Sequence, residues 1–329
     1  MSLTPEPSES LYLGWNIGGT TCSIAVGTPA GRIIESASWP AQAAAGPEHM
    51  LKDFLMRALV LRERHSRLKA VGVSIGGPLD SRVGMIYSPP HLPGWTEIPL
   101  KARLTNELNL PVQVEHDAVA CLIAEWLWGA AQGRTHAVYC TAGTGFGAGI
   151  MIAGKIVRGP SGQTTEIGHV RLADSGPRLY GKSGCIESFC SGTGIALLAR
   201  EMYPKVFLEP TDTRDLCQQS EAGSVPAREV LNTAAKWTGR AYAILADLFS
   251  PQVIIAGSLA RYLPAWWLTA VEAEFRREAL PRNCLHTRVV APLLGDKVQD
   301  LAAIGPCLFP YEQSPVNSPS TEPASATSL

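Results

Sequence analysis

The chain has 329 residues, 46% apolar and 17% charged, which supplies enough apolar material for packed cores and excludes disorder of the whole. At about 150 residues per domain there is room for two domains and for a cleft between them. The 28 Lys and Arg against 29 Asp and Glu give a formal charge of -1, and no basic run tracks a phosphate backbone, so no nucleic-acid partner is expected.

The first residues, 1–10, are polar and contain proline. They read as a disordered N-terminus and not as a secretory signal, and a cytoplasmic location is expected. Three short apolar or alternating runs follow at Leu11–Ile17, Thr21–Gly27 and 32–38, separated by Gly18-Gly19 and Pro29-Ala30-Gly31. These predict a three-strand antiparallel meander. Apolar residues at helical spacing predict a helix over 48–64, then a strand over Leu68–Ile75, a Pro/Gly-rich loop at 88–95, a helix at Leu100–Leu108 and a strand at 112–115. Asp117 stands where that last strand ends.

A helix is predicted over 118–128, then strands over 137–141 and 147–152 around the glycine turn Gly143-Thr144-Gly145. The chain thus repeats its opening pattern of strand, Gly/Thr turn and strand, a weak internal repeat that suggests a duplicated α/β fold. Helices at 227–249 and 265–280 flank a strand at 252–256, and 310–329, rich in Ser, Pro and Thr, reads as a disordered tail. The domains are expected at 11–117 and 118–309, with the last helix free to pack back on the first. No apolar run reaches the roughly 18 residues needed to span a bilayer, so no membrane association is expected. The eight cysteines are scattered, several within apolar runs, and read as free, mostly buried thiols.

Backbone amides approach a phosphate closely only where side chains are small, so Gly18-Gly19-Thr20-Thr21 between two strands suits either a phosphate cradle or an ordinary hairpin turn. A second such turn at 143–145 favours the cradle, because two turns can grip one triphosphate from two sides of a cleft. Asp117 suits either an N-cap or a catalytic carboxylate. Glu166, His169 and Glu187, in a glycine-rich stretch, are the kind of groups that hydrogen-bond a polyol.

Taken together, Leu13-Gly-x-Asn16-Ile-Gly-Gly-Thr20, Gly76-Gly77-Pro78, Pro89-x-x-Leu-Pro-Gly-Trp95, Glu115-His-Asp-Ala118, Gly143-Thr-Gly-x-Gly147, Glu166-Ile-Gly-His169 and Gly184-Cys-x-Glu187 resemble the ROK family from about residue 11 to 308. That family includes bacterial glucokinases, fructokinases, N-acetylhexosamine kinases and sugar-responsive repressors. The resemblance implies an α/β, two-domain actin-like/hexokinase (ribonuclease H-like) fold with an interdomain cleft. It implies ATP-dependent phosphorylation of a hexose or N-acetylhexosamine at a glucose-type 6-hydroxyl, with Asp117 as general base. Gly77, His116, Asp117, Glu166, His169 and Glu187 would meet the sugar. Gly18, Gly19, Thr20, Thr21, Thr144 and Gly145 would meet the ATP phosphates, and Gly257 the adenosine. The implied cofactors are ATP and Mg²⁺, and a homodimer or homotetramer is expected.

Four departures from the family pattern matter. Its aspartate near the hydrated Mg²⁺ is Asn16 here, leaving only a weak water-mediated contact, and its lysine after Gly-Gly-Thr is Thr21. The asparagine before the catalytic aspartate is His116. Of its His and three Cys zinc ligands only His169 and Cys185 remain, so zinc is not expected. Asn16 and His116 keep open a second reading, a catalytically weak sugar-binding or sensing protein. A DNA-binding repressor is disfavoured, since some ten residues precede the first strand.

Overall fold

The computed structural model describes residues 9–208 and 211–311, so most of the two expected disordered ends lies outside the described residues. The first half runs β1 (Leu11–Ile17), β2 (Thr21–Gly27), β3 (Ile33–Pro40), α1 (Gly46–Arg64), β4 (Leu68–Ile75), α2 (Leu100–Leu108) and β5 (Val112–His116). The chain continues through α3 (Asp117–Trp128), β6 (Ala137–Ala142), β7 (Phe146–Ile152), β8 (Lys155–Ile156), α4 (Ile186–Cys190), α5 (Gly192–Met202), α6 (Thr213–Glu221) and α7 (Val225–Phe249). It ends with β9 (Val253–Ala256), α8 (Ala265–Glu278), α9 (Pro281–His286), β10 (Arg288–Val290) and α10 (Val298–Ile304).

These ten strands form two five-stranded sheets of the same design, beside which the described residues hold a three-stranded and a two-stranded sheet of short strands. Of the five-stranded pair, one has the order β3-β2-β1-β4-β5 and the other β8-β7-β6-β9-β10. In each, three antiparallel strands are followed by two parallel ones. The repeat suggested by the two glycine turns is therefore a repeat of whole sheets, each turn joining the first two strands of its sheet.

Alternation in β1 explains how the first sheet is covered. Leu11, Leu13, Trp15 and Ile17 point to one side and are buried against α1, where Trp15 stacks on Phe54 with centroids 4.8 Å apart. Gly14 and Asn16 face the other side. There α10 lies so close that a Cβ on Gly72 of β4 would stand 2.1 Å from the Ala303 carbonyl, and one on Gly14 would stand 2.8 Å from Ile304 Cγ1. The last helix thus packs on the first sheet.

Helix α3 meets the second sheet equally closely, since a Cβ on Gly149 would be 2.5 Å from the Ala118 carbonyl. Val119 and Leu122 of α3 and Leu301 of α10 share a core with Tyr139 and Met151 of the second sheet. The two helices therefore lie between the sheets, which brings the N-terminus of α3 to the junction of the two halves. Helices α7 and α8 cover the outer face of the second sheet.

Element ends differ from the periodicity by one or two residues, as frayed ends do. Helices α4 to α6 and α9 to α10 are not announced by the sequence pattern, because most are too short to show a full apolar stripe. All eight cysteines are free, six of them buried. Among the described residues no helix is long and apolar enough to cross a membrane.

Candidate active site

A cleft of about 880 Å³ opens where the two halves meet. Its lining includes Asn16, the Gly18–Thr21 turn, Gly77, His116, Asp117, Thr144, Gly145, Glu166, His169 and Glu187. Of the residues assigned from sequence, Gly257 is outside the lining. Its N–H donates to the Cys140 carbonyl at 2.8 Å, and a Cβ there would be 2.0 Å from that oxygen, so this glycine lets the end of β9 lie against β6.

In the first glycine turn the lack of side chains has a steric reason. A Cβ on Gly18 would stand 2.6 Å from the Thr21 carbonyl, and one on Gly19 would stand 2.6 Å from both Cβ and O of His91. In the second turn a Cβ on Gly145 would press on Glu187 Oε2 at 2.8 Å. That same oxygen accepts the Phe146 N–H at 2.8 Å. Glu187 is thus bonded to the base of a phosphate-type turn. Burial raises its pKa above the ordinary range, the Phe146 N–H and the His91 and His169 rings oppose this, and Glu166 adds to it.

Asp117 is the first residue of α3, and the cap is His116. Its Nδ1 accepts the Ala118 N–H at 3.2 Å. The alternative that Asp117 serves as N-cap is thereby corrected: its carboxylate lies one position further on and is 42% exposed toward the cleft. Asp117 Oδ1 accepts the Ala118 N–H at 2.6 Å and lies 3.2 Å from His116 Nδ1. Gly77 makes room for the imidazole ring, since a Cβ there would be 2.8 Å from His116 Cδ2.

Glu166 and His169 are held in one tight turn, the His169 N–H donating to the Glu166 carbonyl at 3.1 Å. Lys182 Nζ fixes the His169 carbonyl at 2.5 Å from a two-stranded hairpin, Arg178–Leu179 with Lys182–Ser183. The hairpin's tip carries Tyr180, whose Oη lies 2.9 Å from Nε2 of His91 in the 88–95 loop, joining the two halves at the rim. Cys185 lines the cleft beside this hairpin, and among the described residues no group of three or more His, Cys, Asp or Glu is gathered to hold a metal ion.

Sequence reasoning did not single out His91, Tyr180, Asp296 or Asp300, all of which line the cleft. His91 was within reach of the sequence, because it lies inside the Pro89–Trp95 motif. Asp300 was not, for it belongs to the unannounced α10. It accepts from Ser23 Oγ at 3.0 Å, and Ser23 lies directly opposite Asn16 in the β1/β2 register, so Asn16 and Asp300 approach one patch of the cleft. Burial raises the Asp300 pKa, while hydrogen bonds from Ser23 and Ser36 lower it.

The model of the ROK family matches residues 12–305. The chain is 31% identical over 292 residues to a glucokinase of Halalkalibacterium halodurans, covering 84% of this chain and 88% of that one. It is 28% identical over 234 residues to the DNA-binding transcriptional repressor Mlc of Escherichia coli, covering 69% of this chain and 58% of the repressor. A solved ROK family glucokinase from Streptomyces griseus, in complex with glucose and AMPPNP, superposes with a TM-score of 0.76 at 27% identity, over 90% of this chain and 98% of that one. The architecture is thus the actin-like α/β fold, and the chain belongs to the ROK family.

Proposed function

We propose that this protein is an ATP-dependent kinase of a hexose or N-acetylhexosamine, acting on a glucose-type 6-hydroxyl. The observation that carries the reading is a single cleft holding both bare glycine turns, one from each sheet, together with the exposed carboxylate of Asp117 and the polar set Glu166, His169 and Glu187. Phosphoryl transfer needs mainly alignment and charge stabilisation. Gly18 to Thr21 and Thr144 to Gly145 hold the triphosphate by their amides and hydroxyls. Glu166, His169 and Glu187 orient the sugar, and Asp117 accepts the hydroxyl proton as the oxygen attacks the γ-phosphorus and the bond from that phosphorus to the bridging oxygen breaks, releasing ADP. At Gly18 and Gly19 an added Cβ would meet the Thr21 and His91 carbonyls at 2.6 Å, so this turn stays free of side chains, as close approach of its amides to a triphosphate requires. Mg²⁺ accompanying ATP would supply charge neutralisation at the phosphates, and Asn16 would meet it through water.

The test is sugar-dependent ADP release over glucose, mannose, fructose, N-acetylglucosamine and N-acetylmannosamine. Turnover with at least one of them is expected, and its absence with all five overturns the kinase reading. A second reading, a sugar sensor of low activity, is favoured by Asn16 and His116; it requires sugar binding without turnover at any Mg²⁺ concentration. A cytoplasmic homodimer or homotetramer completes the proposal, checked by sedimentation.

A further inference from the structure

Beside the cleft lies a buried charge that the scheme above does not use. Glu115, next to last in β5, is 0% exposed. Arg158 donates through Nη1 to Oε1 at 3.0 Å and through Nη2 to Oε2. Tyr311 Oη donates to Oε2 at 3.0 Å, and the backbone N–H of His116 donates to Oε1 at 2.8 Å. Four donors thus surround one carboxylate, and the last of them fixes the peptide from which the His116 and Asp117 side chains spring.

Burying two ions costs several kcal/mol each, which their attraction repays only with good geometry, so such a pair is a poor device for stability alone. Its position shows what else it does. Arg158 opens the stretch that runs to Glu166, and that stretch also crosses to the first half: Ser81 Oγ donates to the Gly162 carbonyl at 3.3 Å, and a Cβ on Gly162 would be 2.1 Å from Asp80 Oδ1. Tyr311 follows α10 and rests on Phe309, which rests on Trp126 of α3, with centroids 5.0 and 5.4 Å apart. Three segments therefore converge on Glu115: the strand that ends at Asp117, the stretch that leads to Glu166, and the chain leaving α10.

We propose that Arg158, Glu115 and Tyr311 are positioning residues that set the Asp117 carboxylate against the sugar held by Glu166. This rests on the kinase reading of the cleft. The hydrogen bonds to Glu115 come from Arg158, Tyr311 and the His116 N–H and not from either glycine turn, so disturbing the cluster should misalign the sugar and the base while leaving the nucleotide in place. Misplacement by about 1 Å is enough to cost on the order of 10²-fold in rate.

The test compares Tyr311→Phe, Arg158→Lys and the double variant Glu115→Gln/Arg158→Met with the wild type in kcat, sugar KM, ATP KM and Tm. Removing both charges together leaves no unpaired buried ion, so the double variant should fold with Tm near wild type. Its kcat should fall by a factor of about 10 to 100, with ATP KM unchanged. Arg158→Lys should recover part of that loss, and Tyr311→Phe should lower kcat several-fold at unchanged Tm. Wild-type kcat and sugar KM in the double variant overturn the proposal, and so do sugar and ATP KM rising together in step with a falling Tm. If the double variant fails to fold, Tyr311→Phe decides, and unchanged kinetics there overturn it. Absence of turnover in the wild type with every sugar is a different result, which sinks the kinase reading itself.

Discussion

At the scale of single residues the cleft contains two tests of the proposed chemistry. Asp117 is exposed to the cleft at the start of α3, and its amide isostere keeps the shape and the contact to the Ala118 N–H while losing basicity. Asp117→Asn should bind sugar normally and turn over about 10² to 10⁴ times more slowly; near-normal kcat would remove Asp117 from the base's role. Asn16 offers Mg²⁺ waters a carbonyl oxygen without net charge. Asn16→Asp should lower the half-saturating Mg²⁺ concentration, seen in a titration at saturating sugar and ATP. Because Asp300 approaches the same patch through Ser23, no gain from the aspartate would mean that this carboxylate already does the work. The sequence made Asn16, His116 and Asp117 visible through motif spacing. It gave no sign of Asp300 or Tyr180, whose relevance exists only across the cleft.

Among elements, the approach of α10 to the first sheet depends on residues without side chains. At Gly72 the added Cβ would meet backbone, the Ala303 carbonyl at 2.1 Å, and backbone of a packed helix yields less readily than a side-chain end. Gly72→Ala should therefore destabilise by about 3 kcal/mol, at the upper end of overpacking costs, read from denaturant unfolding. The α7/α8 pair supplies a pH-dependent contact. Hydrogen bonds from Arg277, then Arg240, hold Glu274 down to a pKa of about 2, against about 4.3 for a free glutamate. A lowered folded pKa contributes stability that is complete above about pH 4.3 and is lost as pH falls toward 2. Arg240 and Arg277 are 39% and 61% exposed, so solvent screening keeps the contribution small. Glu274→Gln should lower Tm at pH 7, and the difference should close between about pH 4 and 2; a gap that persists at pH 2 would refute the electrostatic origin. The resemblance places the family's cysteine run at the hairpin 178–183, which Lys182 ties to the His169 carbonyl and Tyr180 to His91. Purified protein should hold less than stoichiometric zinc by elemental analysis and keep its fold in chelator. One tightly held zinc per chain would contradict this.

For the molecule as a whole, the repeat of sheet order is what creates the candidate active site, since each copy contributes one glycine turn and the cleft lies where the copies meet. That repeat was legible in the sequence, because strand periodicity and glycine turns are local signals, carried by residues two or three apart. The same locality made most of the main strands and long helices readable, along with the residues that resemble the ROK family and part of the cleft lining. Tertiary structure alone decided the rest. A glycine such as Gly257 reads the same with or without a neighbouring strand against it, and the 2.0 Å approach of its would-be Cβ to Cys140 O exists only in the fold. The pairing of Glu115 with Arg158 and Tyr311 joins residues 43 and 196 positions apart, and no periodicity links such positions. Apolar spacing reports which face of an element is covered but not by what, so the seat of α10 on the first sheet and the contact of Tyr180 with His91 follow only once both halves are folded together.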